Sequence, residues 1–311
     1  MRVAVTGGCG FIGAHVVERL LSAGHQVLVV DTVARGLPPA AEFARVDILD
    51  QDGLTAAFEG SEVVFHLAAM ADVGQVEADP VRSVRLNVEG TTSVLEAARR
   101  SGLARTVLAS TVWVYGAAAG EQDAGAPELE EDTPIDLARS GHLYVAGKLA
   151  AELVAHSYRE LYGQHFTVLR YGIPYGPRMR DELVIARFVQ AALAGRPITI
   201  AGTGAQTRNF VYVEDLADAH VRALDSAAQD QTIALEGSTP VSIREIADTV
   251  DRLLGPVTVE RVPARAADYA SRRISNAKAA RLLGWKPSTP FDEGVRRYVD
   301  WYRATAPARP A

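Results

Sequence analysis

Tyr144 and Lys148 stand four residues apart near the start of a helical stretch, 143–162, and so share one helix face. An ammonium beside a phenol favours the phenolate and lowers its pKa, which equips such a tyrosine to take a proton from a substrate hydroxyl. On its own the pair reads as ordinary helix surface. It gains weight from Ser110 and Thr111, which follow an apolar run at 106–109 that reads as a strand. Hydroxyls placed there would lie at the carboxyl edge of a sheet, where parallel sheets bind ligands. Thr111, Tyr144 and Lys148 are the candidate catalytic residues.

A second chemical pattern opens the chain. Residues 1–13 read MRVAVTGGCGFIG, and Val16, Val17, Leu20 and Leu21 follow at helical spacing. The order is strand, glycine turn, helix. Small residues in such a turn let backbone N–H groups approach a pyrophosphate at the positive end of the helix. Gly7 permits the tight turn, Gly10 the approach to phosphate, and Gly13 the packing of helix on strand. A second strand, 26–30, ends in Asp31, whose carboxylate can accept hydrogen bonds from an adenosine ribose and would repel a 2′-phosphate. NAD is therefore favoured over NADP. Arg35 weighs the other way if it faces the ribose, and carries no information if it faces water.

These residues need elements to hold them. Strands at 3–5, 26–30, 44–48, 62–67, 106–109 and 166–170 alternate with helical stretches, including 80–101, interrupted by Gly90. That rhythm predicts an α/β fold with a Rossmann-type doubly wound parallel sheet. Residues 116–142, rich in Gly, Ala, Pro and acids, read as a surface loop with a solvated acidic face. Past 170 the chain turns irregular, with a strand and turn at 198–204 and helices at 215–226, 243–254 and within 287–302. This predicts a smaller C-terminal α/β lobe. The division expected is 1–170 for the NAD-binding domain, with 207–235 returning to it, and 171–206 with 236–311 for the substrate lobe.

Composition bounds the rest. The 311 residues are 48% hydrophobic, enough for a sizeable core, and 38 acids against 32 bases leave a net charge of -6. No basic stripe offers a nucleic-acid footprint, and no apolar run reaches membrane-spanning length. Cys9 is the only cysteine, so no internal disulfide forms, and the seven histidines lack metal-ligand spacing. The first strand begins at residue 2 and carries the cofactor turn, so no signal peptide is read there and a cytoplasmic setting is expected.

The chain resembles the NAD-dependent epimerase/dehydratase family of extended short-chain dehydrogenases/reductases, which act on nucleotide sugars. The marks are TGGCGFIG at 6–13, Asp31, Asp47-Ile48, FHLAA at 65–69, Asn87-Val88-x-Gly90-Thr91, STVWVYG at 110–116, YVAGK at 144–148, RYGIPYGPR at 170–178, QTRNFVYVEDLA at 206–217 and LGWKP at 283–287. The resemblance implies that NAD lies against Gly7, Gly10, Phe11, Ile12, Gly13, Asp31, the adenine-contacting Asp47 and Ile48, Leu67, Ala68, Ala69, Asn87, Tyr144 and Lys148. It implies that Thr111 bonds the reacting sugar oxygen, that Tyr144 is the base, and that Arg208 and Arg265 grip a nucleotide diphosphate. Arg178-Met179-Arg180 is similar to the YGPR-x-R of uronic-acid epimerases, where one arginine would hold a C6 carboxylate. A homodimer packing through the Tyr144 helix and the helix near Asn87 is also implied.

The departures from the family pattern are informative. Relatives that dehydrate or decarboxylate place an acid two residues after the Ser/Thr. Here Trp113 stands there, either as a wall of the sugar pocket or as a core aromatic. Ile173 replaces a common Asn, Gly147 a Ser and Leu143 a Pro. The expected activity is epimerisation of a nucleotide-diphosphate sugar at C4 (UDP-glucose/UDP-galactose type, or UDP-glucuronate). A nucleotide-sugar ketoreductase, which consumes its cofactor, and a non-catalytic NAD-binding regulator remain the alternatives.

Overall fold

The structure, a computed structural model, describes residues 1–119, 128–139, 141–263 and 273–305. The first half runs β1 (Arg2–Thr6), α1 (Phe11–Ser22), β2 (Gln26–Asp31), β3 (Glu42–Arg45), α2 (Gln51–Phe58), β4 (Val63–His66), α3 (Val73–Ala78), α4 (Pro80–Val84), α5 (Gly90–Arg100), β5 (Arg105–Thr111), α6 (Leu143–Tyr162) and β6 (His165–Tyr171). The second runs β7 (Ile173–Tyr175), α7 (Val184–Leu193), β8 (Ile198–Ala201), β9 (Thr207–Tyr212), α8 (Val213–Arg222), β10 (Gln231–Leu235), β11 (Pro240–Ser242), α9 (Ile243–Leu254), β12 (Val259–Val262), α10 (Ala277–Leu283) and α11 (Phe291–Thr305).

Among the described residues, seven parallel strands pair in the order β10-β6-β5-β4-β1-β2-β3. The strands are apolar on both faces, as a sheet covered twice requires: Val3 and Val5 bury themselves with α1 and α8, while Ala4 packs with α2 and α5. From β1 the chain winds outward through β2 and β3, then crosses back to β4 and winds the other way. The carboxyl ends of β1 and β4 are thus the switch point, where ligands bind such sheets. A second core forms around α7, α9 and α11 with β7, β8 and β9. Two smaller sheets, β11-β9-β7 and β12-β8, support it.

Several expectations shift in detail. Asp47 and Ile48 lie beyond β3, which ends at Arg45. Gly90 does not interrupt its helix; it is helical (φ -60°, ψ -41°), and the irregular turn is the π-helix Arg85–Glu89 just before it. Gly90 is small for packing instead, since a Cβ there would stand 2.6 Å from Ile48 Cδ1. Thr207–Tyr212 pairs in the small sheet, so the chain rejoins the large sheet only with α8 and β10. The acidic run at 128–132 is not wholly solvated: Leu129 is buried and bridges Ile274, and Glu131 accepts a hydrogen bond from the Ala234 amide. Arg265 and residues 120–127 lie outside the described residues. Among the described residues no helix is long and apolar enough to cross a membrane.

Candidate active site

The glycine turn is a cradle that side chains would fill. Gly7 has φ +69°, and a Cβ on it would lie 2.7 Å from the Ala68 amide nitrogen. A Cβ on Gly13 would overlap the Gly7 carbonyl oxygen, so α1 rests directly on the turn. Gly10 is the N-cap of α1 and has no side chain to cap it, which leaves the first-turn N–H groups available to an anion. Asp31, half-buried at the end of β2, accepts hydrogen bonds from the Cys9 and Val33 amides at 3.1 and 3.3 Å and so holds its carboxylate beside the turn. Asp47 is exposed and folds onto the Leu49 amide, while Ile48 is buried against Gly90. These groups fit NAD: an open helix N-terminus meets a pyrophosphate, and an acid waits where the ribose would lie.

Leu67, Ala68 and Ala69 follow β4 at the switch point, and a hydrogen-bonded chain behind them fixes their course. Thr91 Oγ1 donates to the Asn87 carbonyl at 2.7 Å and accepts from His66 Nε2 at 3.0 Å; His66 Nδ1 then accepts from the Thr6 hydroxyl at 2.8 Å. Burial pushes His66 down to about 3, so it stays neutral and keeps this tautomer. Asn87 holds Met70 at both backbone atoms, 2.8 and 3.0 Å. Its amide positions the loop after β4. Gly147 on α6 lets this segment approach, since a Cβ there would stand 3.3 Å from Asn87 Cβ. No local spacing marks His66 within FHLAA, because its two partners are 60 and 25 residues away.

Thr111 ends β5, buried, with its hydroxyl accepting from the Trp113 amide at 3.2 Å. Tyr144 sits in the first turn of α6. Lys148 lies one turn on, buried, donating to the Ala109 carbonyl at 2.9 Å, with its nitrogen 6.0 Å from the centre of the Tyr144 ring. At this distance the lysine does not dominate the phenol. Burial pushes Tyr144 up to about 12, and the charge that pulls it back is Arg180. Burial also brings Lys148 down to about 8, opposed by Glu152. Glu152 in turn forms a buried bidentate pair with Arg170 and accepts from Ser110. That pair ties α6 to β6 beside the catalytic edge.

A cavity of about 390 Å³ opens between the large sheet and the second core, lined by Trp113, Ile173, Phe210 and Arg208 among others. Trp113 is thus a wall and not a core aromatic. Arg178 and Arg180 face a neighbouring hollow of about 380 Å³ that Arg35 also lines. Both cross to the sheet domain: Arg178 pairs with Glu18 of α1 at 2.7 Å and Arg180 with Asp72 at 2.6 Å.

Glu236, just past β10, is a buried acid that no sequence pattern marks. Its carboxyl packs where a side chain on Gly172 would be, accepts from the Gly237 amide at 3.1 Å, and is pushed by burial up to about 8. Well below its ordinary value of 4.5 the group is protonated whether the chain is folded or not. As pH rises toward 8 only the unfolded chain ionises, so stability is lost at about 1.4 kcal/mol per unit. Glu236→Gln is expected to raise the unfolding temperature relative to the parent at pH 8 and to lose that advantage toward pH 4.5. A difference independent of pH would refute this.

Residues 3–235 match the NAD dependent epimerase/dehydratase family. The chain belongs to that family. Its cofactor is NAD. It is 36% identical to the UDP-glucose 4-epimerase of Mycolicibacterium smegmatis, over 97% of this chain and 99% of that one. It is 33% identical to the UDP-glucuronate 4-epimerase of Thermodesulfobacterium geofontis, over 96% and 94%. The fold superposes on the Thermus thermophilus UDP-glucose 4-epimerase in complex with NAD with a TM-score of 0.85 and 35% identity, covering 98% of this chain and all of that one. The doubly wound sheet read from the glycine turn and the strand rhythm is the fold these family members share.

Proposed function

We propose that this family member epimerises a nucleotide-diphosphate sugar at C4. The deciding feature is the meeting of Thr111, Tyr144 and Lys148 at the carboxyl edge of β5, with an indole rather than a carboxylate beside them. Residues 1–170, rejoined by α8 and β10, hold NAD, and the rest form the nucleotide-sugar lobe. Gly7, Gly10, Phe11, Ile12 and Gly13 receive the pyrophosphate, Asp31 the ribose, and Asp47 and Ile48 the adenine. Leu67, Ala68 and Ala69 line the nicotinamide end, on a loop that Asn87 anchors. When bound, NAD+ supplies a hydride acceptor that can return what it takes, and a positive ring.

Tyr144 accepts the proton of the C4 hydroxyl and gives it back, and Thr111 holds the same oxygen. Lys148 orients the nicotinamide ribose and, with Arg180, adds positive charge near the phenol. Arg208 meets the diphosphate in the cavity, with Arg265 as its proposed second cation. Trp113 in place of an acid two residues after Thr111 supports epimerisation: the proton leaves and returns at one oxygen, whereas elimination of water needs another acid. Proton NMR of the protein with NAD+ and UDP-galactose or UDP-glucose tests the reading. A C4 epimer appearing without net NADH supports it, and net NADH production without epimer would reject it.

A homodimer is part of the proposal. Val81 and Val84 of α4 and Leu153, Leu161 and Tyr162 of α6 are exposed apolar side chains on neighbouring helices. Sedimentation is expected to give twice the 33.3 kDa chain mass, and Leu153→Glu with Val81→Glu to give the monomer. A parent protein that sediments as a monomer would contradict this. The single cysteine, which needs no oxidising compartment, supports a cytoplasmic setting.

A further inference from the structure

The side chain standing edge-on to the Tyr144 ring is an indole, not a charged group. Trp113 leaves 37% of its surface open and lines the cavity beside Ile173. Its ring centre lies 6.2 Å from that of Tyr144, the planes crossing at 85°. His142 braces both, edge-on to Trp113 at 5.5 Å and stacked near Tyr144 at 6.1 Å, and burial lowers its pKa, which favours the neutral ring. Sugar geometry does the rest. In a hexose, C6 hangs from C5, the neighbour of C4. A C4 hydroxyl within about 3 Å of the Tyr144 oxygen therefore carries C6 within a ring's width of it.

The two arginines that the sequence offers for a C6 carboxylate, Arg178 and Arg180, are each paired with an acid. Arg180 lies close enough to act on Tyr144, yet its guanidinium is held by Asp72, and Arg178 is held by Glu18. A uronate carboxylate set against the Trp113–Ile173 wall would either displace one of those acids or face indole and isoleucine, losing hydration without a partner. A sugar with an uncharged C6 presents C–H surface to the indole face instead.

We infer that the cleft selects nucleotide sugars whose sixth carbon is uncharged, a hydroxymethyl or methyl group, over nucleotide uronates, with Trp113 and Ile173 as specificity-determining residues. The inference rests on the epimerase reading for the placement of C4 at Tyr144.

Calorimetric titration of the NAD-loaded protein with UDP-glucose, UDP-glucuronate and UDP tests it, alongside kcat/KM for the two sugars. UDP-glucuronate is expected to bind at least about 30-fold more weakly than UDP-glucose. Trp113→Ser should shrink that gap to about threefold or less, chiefly through weaker UDP-glucose binding, with UDP affinity unchanged as the check on folding. Trp113→Phe should keep the gap. Equal or tighter binding of UDP-glucuronate by the parent, an unchanged gap in Trp113→Ser, or no binding of either sugar would overturn the inference. Because affinity needs no turnover, a preserved gap without epimer formation would reject the epimerase reading alone. Equal turnover of both sugars would reject the specificity alone.

Discussion

Tyr144→Phe is expected to lower turnover by about 10²- to 10⁴-fold, the range for losing a positioned acid–base group, while KM and bound NAD change little. The phenol is the only titratable group of the Thr111–Tyr144–Lys148 set suited to exchange a proton with the substrate oxygen. Thr111 has an alkoxide far too basic, and Lys148 is committed to the Ala109 carbonyl. Burial holds the phenol up near 12, so its proton leaves readily only when Lys148, Arg180 and bound NAD+ together offset the desolvation. Phe keeps the ring packing against His142 and Trp113, which separates chemistry from structure. Turnover is read by NMR and NAD content by absorbance after denaturation. Activity within tenfold of the parent would remove Tyr144 from the reaction.

Substitution of Gly13 should be the most damaging single change in the cofactor cradle. A Cβ at this position overlaps backbone, the Gly7 carbonyl oxygen, and approaches Gly8 Cα at 2.8 Å, so no side chain can swing aside. Gly13→Ala is expected to destabilise the protein by about 3 kcal/mol or more and to abolish NAD binding, since turn and helix must separate. Gly10→Ala is the informative contrast. Its Cβ would meet only the Gly7 oxygen, at 3.1 Å, so the fold should survive with a small loss while NAD affinity falls. Thermal unfolding with and without NAD distinguishes the two. Gly13→Ala would be expected to lower the midpoint without ligand and show no ligand shift; a parent-like midpoint and shift would show that the cradle is looser than its geometry indicates.

Much of this was legible in local spacing. Gly7, Gly10 and Gly13 announced the turn because backbone conformation and close approach are settled within a few residues. The four-residue step from Tyr144 to Lys148 announced one helix face, and α6 and α9 fall on the stretches read as 143–162 and 243–254. The short strands of the second lobe were harder. β7 and β11 have three residues each, too few for a period to show, and exist because β9 lies between them.

The site divides in the same way. The residue types were visible: an acid after β2, a hydroxyl after β5, a phenol and an ammonium on one helix. Their electrostatics were not. Lysine spacing suggested a lowered phenol, but the depth at which Tyr144 is buried decides its proton affinity, and depth comes from Trp113, His142 and the sheet together. Arg178 and Arg180 looked available to a substrate until partners 160 and 108 residues away were seen to hold them. Gly172 carries no local signal, and its smallness is explained only by Glu236, whose carboxyl fills the space a side chain there would take. By itself, the sequence determined the order of elements, the cofactor turn and the catalytic residue types, since turn chemistry and periodicity belong to neighbours in the chain. Only the tertiary structure decided which charges are paired, which aromatic faces the cavity and which carboxyl stays protonated, because burial and pairing depend on groups that meet through folding alone.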